Sequence, residues 1–501
     1  MEAILPDAAN TAISKAIEYV YSFEPIASQT VVLVPSFLKS QTAGMAAAIG
    51  FDQETFEYTL GLFICYPLGI IMLNLPYGKI KHLFSFFLGA FILQFVIGVQ
   101  WIHHLVTVLV AYVLLLILPP KYAKTIVPAF AMLYCVLGHL HRQYINYLGW
   151  DLDFTGTQMV LTQKLYMLAY NIYDGDVLAK GGTDRASKKC EKFALQKVPG
   201  IIEYLGYTFC FTNLLAGPAY EFKTYASSCD GSNIFGKDGK PFGKIPSVVW
   251  PTLKPLFISL VCMAAFVIGN GMFPLLDPTD PQNADPTVLK EDFLEKPIYQ
   301  RAAYAYLALM FIRMKYYFAW KNAEGATNIW YAGFEGFDAE GQPLGWGNAN
   351  NVDILDFEFA QNVKTLSAAW NKKTANWLGK YVYIRNNGSL VATYGMSAFW
   401  HGFYPGYYMF FFSVPIMTFC ERIGKKKLTP RLDDGKKWGL YGIVCWFATN
   451  SCVMYCVLGF QLLAYEWSIR AWKSFFFYGH IASILFYIIV SQIPSPKKKE
   501  S

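Results

Sequence analysis

The stretch LVTVLVAYVLLLILPP occupies residues 105–120, and before its two prolines only Thr107 and Tyr112 carry a polar side-chain atom. A helix on the surface of a soluble protein keeps a polar face, and a strand of a membrane barrel alternates polar with apolar. This run does neither, so all its faces must meet apolar surroundings. Roughly 20 such residues cross the hydrocarbon of a bilayer as a helix. The same reading applies to YTLGLFICYPLGIIMLNL (58–75), HLFSFFLGAFILQFVIGV (82–99), TIVPAFAMLYCVLG (125–138), LFISLVCMAAFVIGNGM (256–272) and FFFYGHIASILFYIIV (475–490). With weaker segments added, length matching predicts about 8 to 11 transmembrane helices. The expected fold is therefore all-α, a polytopic helical membrane protein.

Composition agrees. The 501 residues are 54% hydrophobic and 15% charged, with a mean hydropathy of +0.29, whereas soluble domains are nearer a quarter charged. A single integral membrane domain is expected over 55–495, after an N-terminal segment (1–54) and before a basic tail (496–501). Asp7, Lys15, Glu18 and Glu24 interrupt the start of the chain, so the first spans rather than a cleavable signal should direct insertion. The 10 cysteines are scattered without a C-x-x-C pair, which indicates neither a zinc site nor a disulfide framework. A net charge of +7 fits positive-inside loops rather than nucleic-acid binding.

The loops suggest an orientation. DPTDPQNADPTVLKEDFLEKP (277–297) carries six acidic and two basic residues and is expected in the lumen. ERIGKKKLTPRLDDGKKW (421–438) carries seven basic and three acidic residues and is expected in the cytosol, with the C-terminal tail on the same side. Lys498-Lys499-Glu500-Ser501 has the form of a dilysine retrieval signal, which would hold the protein in the endoplasmic reticulum membrane. A plain anchor to anionic lipid is the alternative.

The polar region 334–388 holds no run long enough to span. Within it, 361–384 is amphipathic, with Trp370, Trp377 and Tyr381 beside Lys372, Lys373, Lys380 and Arg385, and should lie at the membrane interface. Further on, FWHGFYPGYY (399–408) sets His401 in an apolar segment that Gly402, Pro405 and Gly406 break. Broken helices at membrane depth are buried in protein or line a cavity, and ionisable groups there are functional by default. Imidazole suits general base work near neutral pH; the alternative is a histidine satisfied by one buried carbonyl. The other six histidines lack ligand spacing in this region, and no metal site is expected. His103, His104, His139 and His141 are expected at span ends. Asn371, thirty positions earlier, can hydrogen-bond without titrating, or can merely cap a helix.

These residues resemble the membrane-bound O-acyltransferase family, and within it the lysophospholipid acyltransferases, over about 55–490. WHGFYPGYY (400–408) is similar to the family's W-H-G-x-x-P-G-Y motif, with His401 in the place of its active-site histidine. WNKKTANWLGKYVY (370–383) resembles the segment bearing the second signature residue, which falls on Asn371. TNLLAGPAYEF (212–222), RMKYYFAW (313–320), EGA (324–326), YCVLGF (455–460) and WKSFFFYGH (472–480) resemble further family elements. GWGNANNVDI (345–354) resembles the W-D-x-x-A-N segment, with Gly347 where an aspartate is usual.

The resemblance implies helices around a buried reaction chamber and transfer of a fatty acyl group from acyl-CoA to the hydroxyl of a lysophospholipid. Acyl-CoA is then a co-substrate, and no resident cofactor is implied. His401 would act as base, and Asn371 would bond the acyl carbonyl or acceptor hydroxyl. Trp370, Trp377 and Trp400 would line the substrate site, and Lys372, Lys373, Lys380 and Arg385 would meet CoA phosphates. The bilayer is the third partner, and a homo-oligomer is compatible. Sterol, diacylglycerol or protein acceptors remain alternatives, as does a secondary transporter, although no repeated halves are visible. If the Asn371 segment and the 421–438 loop are both cytosolic, 389–419 must enter and return, yet it holds only about one and a half crossings. Either two tilted halves meet near Gly402–Gly406 or the Asn371 segment dips into the membrane, and both place His401 near the bilayer interior.

Overall fold

The computed structural model describes residues 7–22, 24–30, 32–149, 151–433 and 435–495. These residues are helical with turns and loops, without a β-strand beyond two isolated bridges. The dilysine tail, 496–501, lies outside them.

The apolar runs become helices: α1 (Gln53–Asn74), α2 (Lys79–Ile97), α3 (Trp101–Ile117), α4 (Pro120–Ile145), α5 (Phe154–Ala179), α6 (Val249–Met272) and α7 (Ile298–Asn328). Five stretches are long and apolar enough to cross a membrane: α1, the continuous α2–α3, α4, α6, and a later helix at Leu440–Leu462. A bent pair, Tyr465–Ser474 with Tyr478–Gln492 at 64°, makes a sixth if it counts as one span. The expected 8 to 11 is not met by length and apolarity alone. The reason is internal polarity. α5 and α7 are 26 and 31 residues long, but they bury Lys164, Arg313, Lys321 and Glu324 against protein partners.

The described part of residues 1–54 contacts the helices that follow. Lys39 pairs with Glu57 of α1, and the backbone N–H groups of Leu33 and Val34 donate to Gln94 of α2. His103 and His104, in the first turn of α3, are packed in protein: they are 0% and 1% exposed, and His103 bonds Tyr134 and Glu24.

The polar middle supplies short helices, α8 (Val363–Ala369) and α9 (Lys372–Leu378), followed by α10 (Leu390–His401) and α11 (Pro405–Lys427). α12 (Leu440–Leu462), α13 (Tyr465–Ser474) and α14 (Tyr478–Gln492) complete the chain. α7 packs on α6, on α1 and on α12, and so forms a wall shared by the two halves of the molecule. The acidic and basic loops mark opposite ends. Arg470 of α13 forks onto Asp285 at 2.7 Å, so the far end of α12 meets the acidic loop.

Candidate active site

His401 closes α10, and the chain turns over Gly402–Tyr404 before Pro405 opens α11. Gly402 has φ +112°, a conformation that side-chain-bearing residues avoid, and a Cβ there would meet the His139 ring at 3.1 Å. The predicted pair of half-helices is therefore present, but unequal. α10 has 12 residues and α11 has 23, which at about 1.5 Å per residue is long enough to cross the hydrocarbon. Tyr404 Oη accepts from the N–H of Leu148 (3.0 Å), and Gln282 of the acidic loop donates to Asn146 (2.6 Å). The break thus sits on the side of the molecule that the acidic loop occupies.

The imidazole of His401 lies among Trp400, Tyr407, Phe411 and Phe460, with ring centroids 4.8–5.6 Å away. Five of the seven histidines hold hydrogen bonds: His82, His103, His104, His139 and His480. Among the described residues neither ring nitrogen of His401 does, and neither is fully buried. The buried-carbonyl alternative falls instead to His139, whose Nε2 lies 3.2 Å from the Trp400 carbonyl. His401 is held by ring packing, and its nitrogens are left for another partner.

Trp400 is 5% exposed; its Nε1 donates to Met159 O (3.0 Å) and its ring faces Trp377 at 5.9 Å. Trp377 and Tyr381 are 1% and 0% exposed. The aromatic side of 361–384 is therefore a protein interior, not a headgroup belt. Trp370 packs on Tyr316, Trp320 and Phe357.

Asn371 interrupts the amphipathic stretch, between α8 and α9. It adopts the left-handed region (φ 44°, ψ 51°), which asparagine tolerates better than most residues. Its side chain makes no capping bond. Oδ1 instead accepts from Asn351 Nδ2 (3.1 Å), while Asn351 accepts the N–H groups of Lys372 and Lys373 through its carbonyl and Oδ1 (2.8 and 3.0 Å). The Asn371 Nδ2 donor has no partner among the described residues and is not fully buried.

The cations divide. Lys372 binds Asp353 (2.6 Å), and Lys373 donates to the Gly347 carbonyl (2.8 Å). Burial and the nearby Lys372 ammonium lower the Lys373 pKa to about 8. Lys380 pairs with Glu221 (3.2 Å) and lies 4.1 Å over the Phe193 ring. Arg385 forks onto Asp174 at 3.1 and 2.7 Å. Gly347, where an aspartate was expected, faces the Glu335 carboxylate at 2.9–3.0 Å from where its Cβ would stand. A carboxylate is already supplied there by another residue.

No hydrogen bond joins Asn371 to His401. Arg313 meets Met454 at 3.0 Å, a level shared by α7 and α12. Trp370 packs beyond that level toward the basic end, and His401, at Phe460, toward the acidic end. At about 1.5 Å per helical residue, the two stand on the order of 15 Å apart along the axes. Nor does the cavity of about 800 Å³ between α11, α12 and α14 include His401. Sequence reading gave no site role to Asn351, Asp174, Glu221 or His139. For Glu221, the flanking Tyr220 and Phe222 were the available signal.

The profile of MBOAT, the membrane-bound O-acyltransferase family, matches residues 122–456. The chain is similar to the lysophospholipid acyltransferase of Schizosaccharomyces pombe, with 30% identity over 87% of this chain and 88% of that protein. It is likewise 30% identical to lysophospholipid acyltransferase 1 of Arabidopsis thaliana, over 91% of this chain and 99% of that one. Membrane-bound glycerophospholipid O-acyltransferase 2 of Rattus norvegicus is 30% identical, over 84% and 81%. On the match to residues 122–456 and these near-full-length similarities, the chain belongs to the membrane-bound O-acyltransferase family.

Proposed function

We propose that the protein transfers a fatty acyl group from acyl-CoA to the free hydroxyl of a lysophospholipid. The observation that carries the proposal is the unbonded imidazole of His401 in its aromatic enclosure, in a chain whose relatives are named lysophospholipid acyltransferases.

A thioester is already activated, so one transfer suffices. A nitrogen of His401 takes the acceptor's hydroxyl proton as that oxygen forms the new ester bond. The carbon–sulfur bond then breaks, and the leaving thiolate recovers the proton. Such base catalysis contributes about 10²–10⁴ in rate. The rings around His401 keep water from competing for the acyl group. Asn371 Nδ2 is a donor for the acyl-CoA. Its separation from His401 favours the amide-bearing arm of that substrate over the reacting carbonyl. Lys373, which meets a carbonyl, is the better phosphate partner, because Lys372, Lys380 and Arg385 are occupied by carboxylates. Residence in the endoplasmic reticulum, with the C-terminus cytosolic, rests on the Lys498–Lys499 signal and the loop charges.

Purified protein given labelled acyl-CoA with lysophospholipids, diacylglycerol and sterol tests the acceptor. Ester should form on lysophospholipid alone, and His401→Gln should lose 10²-fold or more while eluting as wild type in gel filtration. Ester on sterol or diacylglycerol instead would leave the family intact and overturn the acceptor.

A further inference from the structure

Asn351 lies outside any helix and is 2% exposed. The stretch around it clamps the Asn371 segment through the backbone. The N–H of Asp353 donates to the Ala369 carbonyl (3.0 Å), and the N–H of Lys372 to the Asn351 carbonyl (2.8 Å). The Asn351 side chain adds two bonds. Its Oδ1 accepts from the N–H of Lys373 (3.0 Å), and its Nδ2 donates to Asn371 Oδ1 (3.1 Å).

These bonds fix each other in sequence. A backbone N–H only donates, so the atom of Asn351 that faces Lys373 is the oxygen. The other end of that amide is an NH₂, which only donates, and Asn371 must answer it with its own oxygen. The left-handed backbone of Asn371 places its side chain but leaves the amide two orientations about its last torsion. In one of them an acceptor meets Asn351 Nδ2; in the other, two NH₂ groups stand face to face. A single backbone donor thus sets both amides and sends Asn371 Nδ2 away from Asn351.

We propose that Asn351 is a positioning residue for acyl transfer, which orients the Asn371 amide so that a donor is presented to acyl-CoA. The proposal rests on Asn371 acting as that donor. A carbonyl oxygen, of the thioester or of the amide-bearing arm, takes an N–H and is repelled by a second oxygen.

Asn351→Asp separates orientation from support. It keeps an oxygen for the Lys373 N–H and leaves the backbone clamp intact, but its second oxygen accepts where Nδ2 donated. Asn371 then turns its NH₂ toward residue 351 and its oxygen toward substrate. Full-length protein from the monodisperse gel-filtration peak is assayed for transfer from oleoyl-CoA to lysophosphatidylcholine. Affinity for oleoyl-CoA is measured separately, without acceptor. Asn351→Asp should lower kcat/KM on the order of 10²-fold, as loss of one such donor does, and oleoyl-CoA affinity roughly tenfold. Added to Asn371→Ala, the same substitution should change either value by less than about twofold, because two residues acting through one donor are not additive. A merely structural Asn351 would cost as much in both backgrounds, and that result overturns the proposal. So does wild-type activity in Asn351→Asp, or in Asn371→Ala, which would remove the donor itself. If the unaltered protein makes no ester on the lysolipid, the proposed reaction falls instead, and the oleoyl-CoA affinities of the same variants decide for Asn351.

Discussion

His139 and His401 flank one turn with opposite duties: the first holds the Trp400 carbonyl, the second keeps its nitrogens free. Asn371 combines both kinds of duty, a left-handed backbone and an unpartnered amide, and substitution separates them. Glycine accepts that backbone without a side chain, and aspartate keeps the acceptor to Asn351 but lacks the donor. If the donor serves substrate, Asn371→Gly, Asn371→Asp and Asn371→Ala should all lose on the order of 10²-fold in kcat/KM. An active Asn371→Gly enzyme would reduce the residue to backbone geometry. For Lys373, the ammonium is present below its pKa of about 8 and lost above it. If it meets a CoA phosphate, the KM for acyl-CoA should climb as pH passes 8, and Lys373→Arg, which stays charged, should flatten the climb. His401 was legible from sequence, because an ionisable group beside helix breakers in an apolar run is conspicuous. Asn351 was not, since its bond to Asn371 depends on a fold that joins positions twenty apart.

At the scale of elements, the α10–α11 break rests on close backbone contact. A Cβ on Gly406 would stand 2.1 Å from Gly459 O and 2.9 Å from Leu463 O, backbone atoms that cannot turn aside. Gly406→Ala should therefore lower thermal stability by about 1–3 kcal/mol or more and impair transfer. Gly395→Ala, in mid-α10 with nothing within 4 Å of its Cβ, should be neutral or slightly stabilising. A melting curve of each in detergent decides. The segment after α9 is pinned to α5 by Arg385 and Asp174, which are 9% and 0% exposed at their side chains. Removing one partner of such a pair leaves a buried charge and costs about 3–5 kcal/mol. Arg385→Ala should thus melt early, and Asp174→Ala/Arg385→Ala should recover part of the loss. A changed KM for acyl-CoA with unchanged melting would restore Arg385 to the substrate site.

For the whole molecule, α7 links two halves whose loops carry opposite charge at opposite ends. Cysteines placed at 280 and at 436 should be labelled by an impermeant maleimide from opposite faces of sealed vesicles. Labelling of both from one face would break the proposed orientation. Replacing Lys498 and Lys499 by serine should release the protein from the endoplasmic reticulum and leave transfer in isolated membranes unchanged; unaltered localisation would leave the tail a simple anchor.

The sequence by itself determined the helical membrane class, the break at Gly402–Gly406 and the candidacy of His401. Each is local: apolar run length sets the solvent a segment tolerates, and glycine and proline set the backbone it adopts. Only the tertiary structure decided that Trp377 and Tyr381 are interior, and that Lys380 and Arg385 answer Glu221 and Asp174 across 159 and 211 positions. It also decided that long helices such as α7 carry charge without presenting it to lipid. The interaction of two charges falls with the distance between them in space, and no periodicity along a chain reports that distance. An amphipathic pattern says that a helix has two faces, and the fold chooses whether the apolar one meets lipid or another helix.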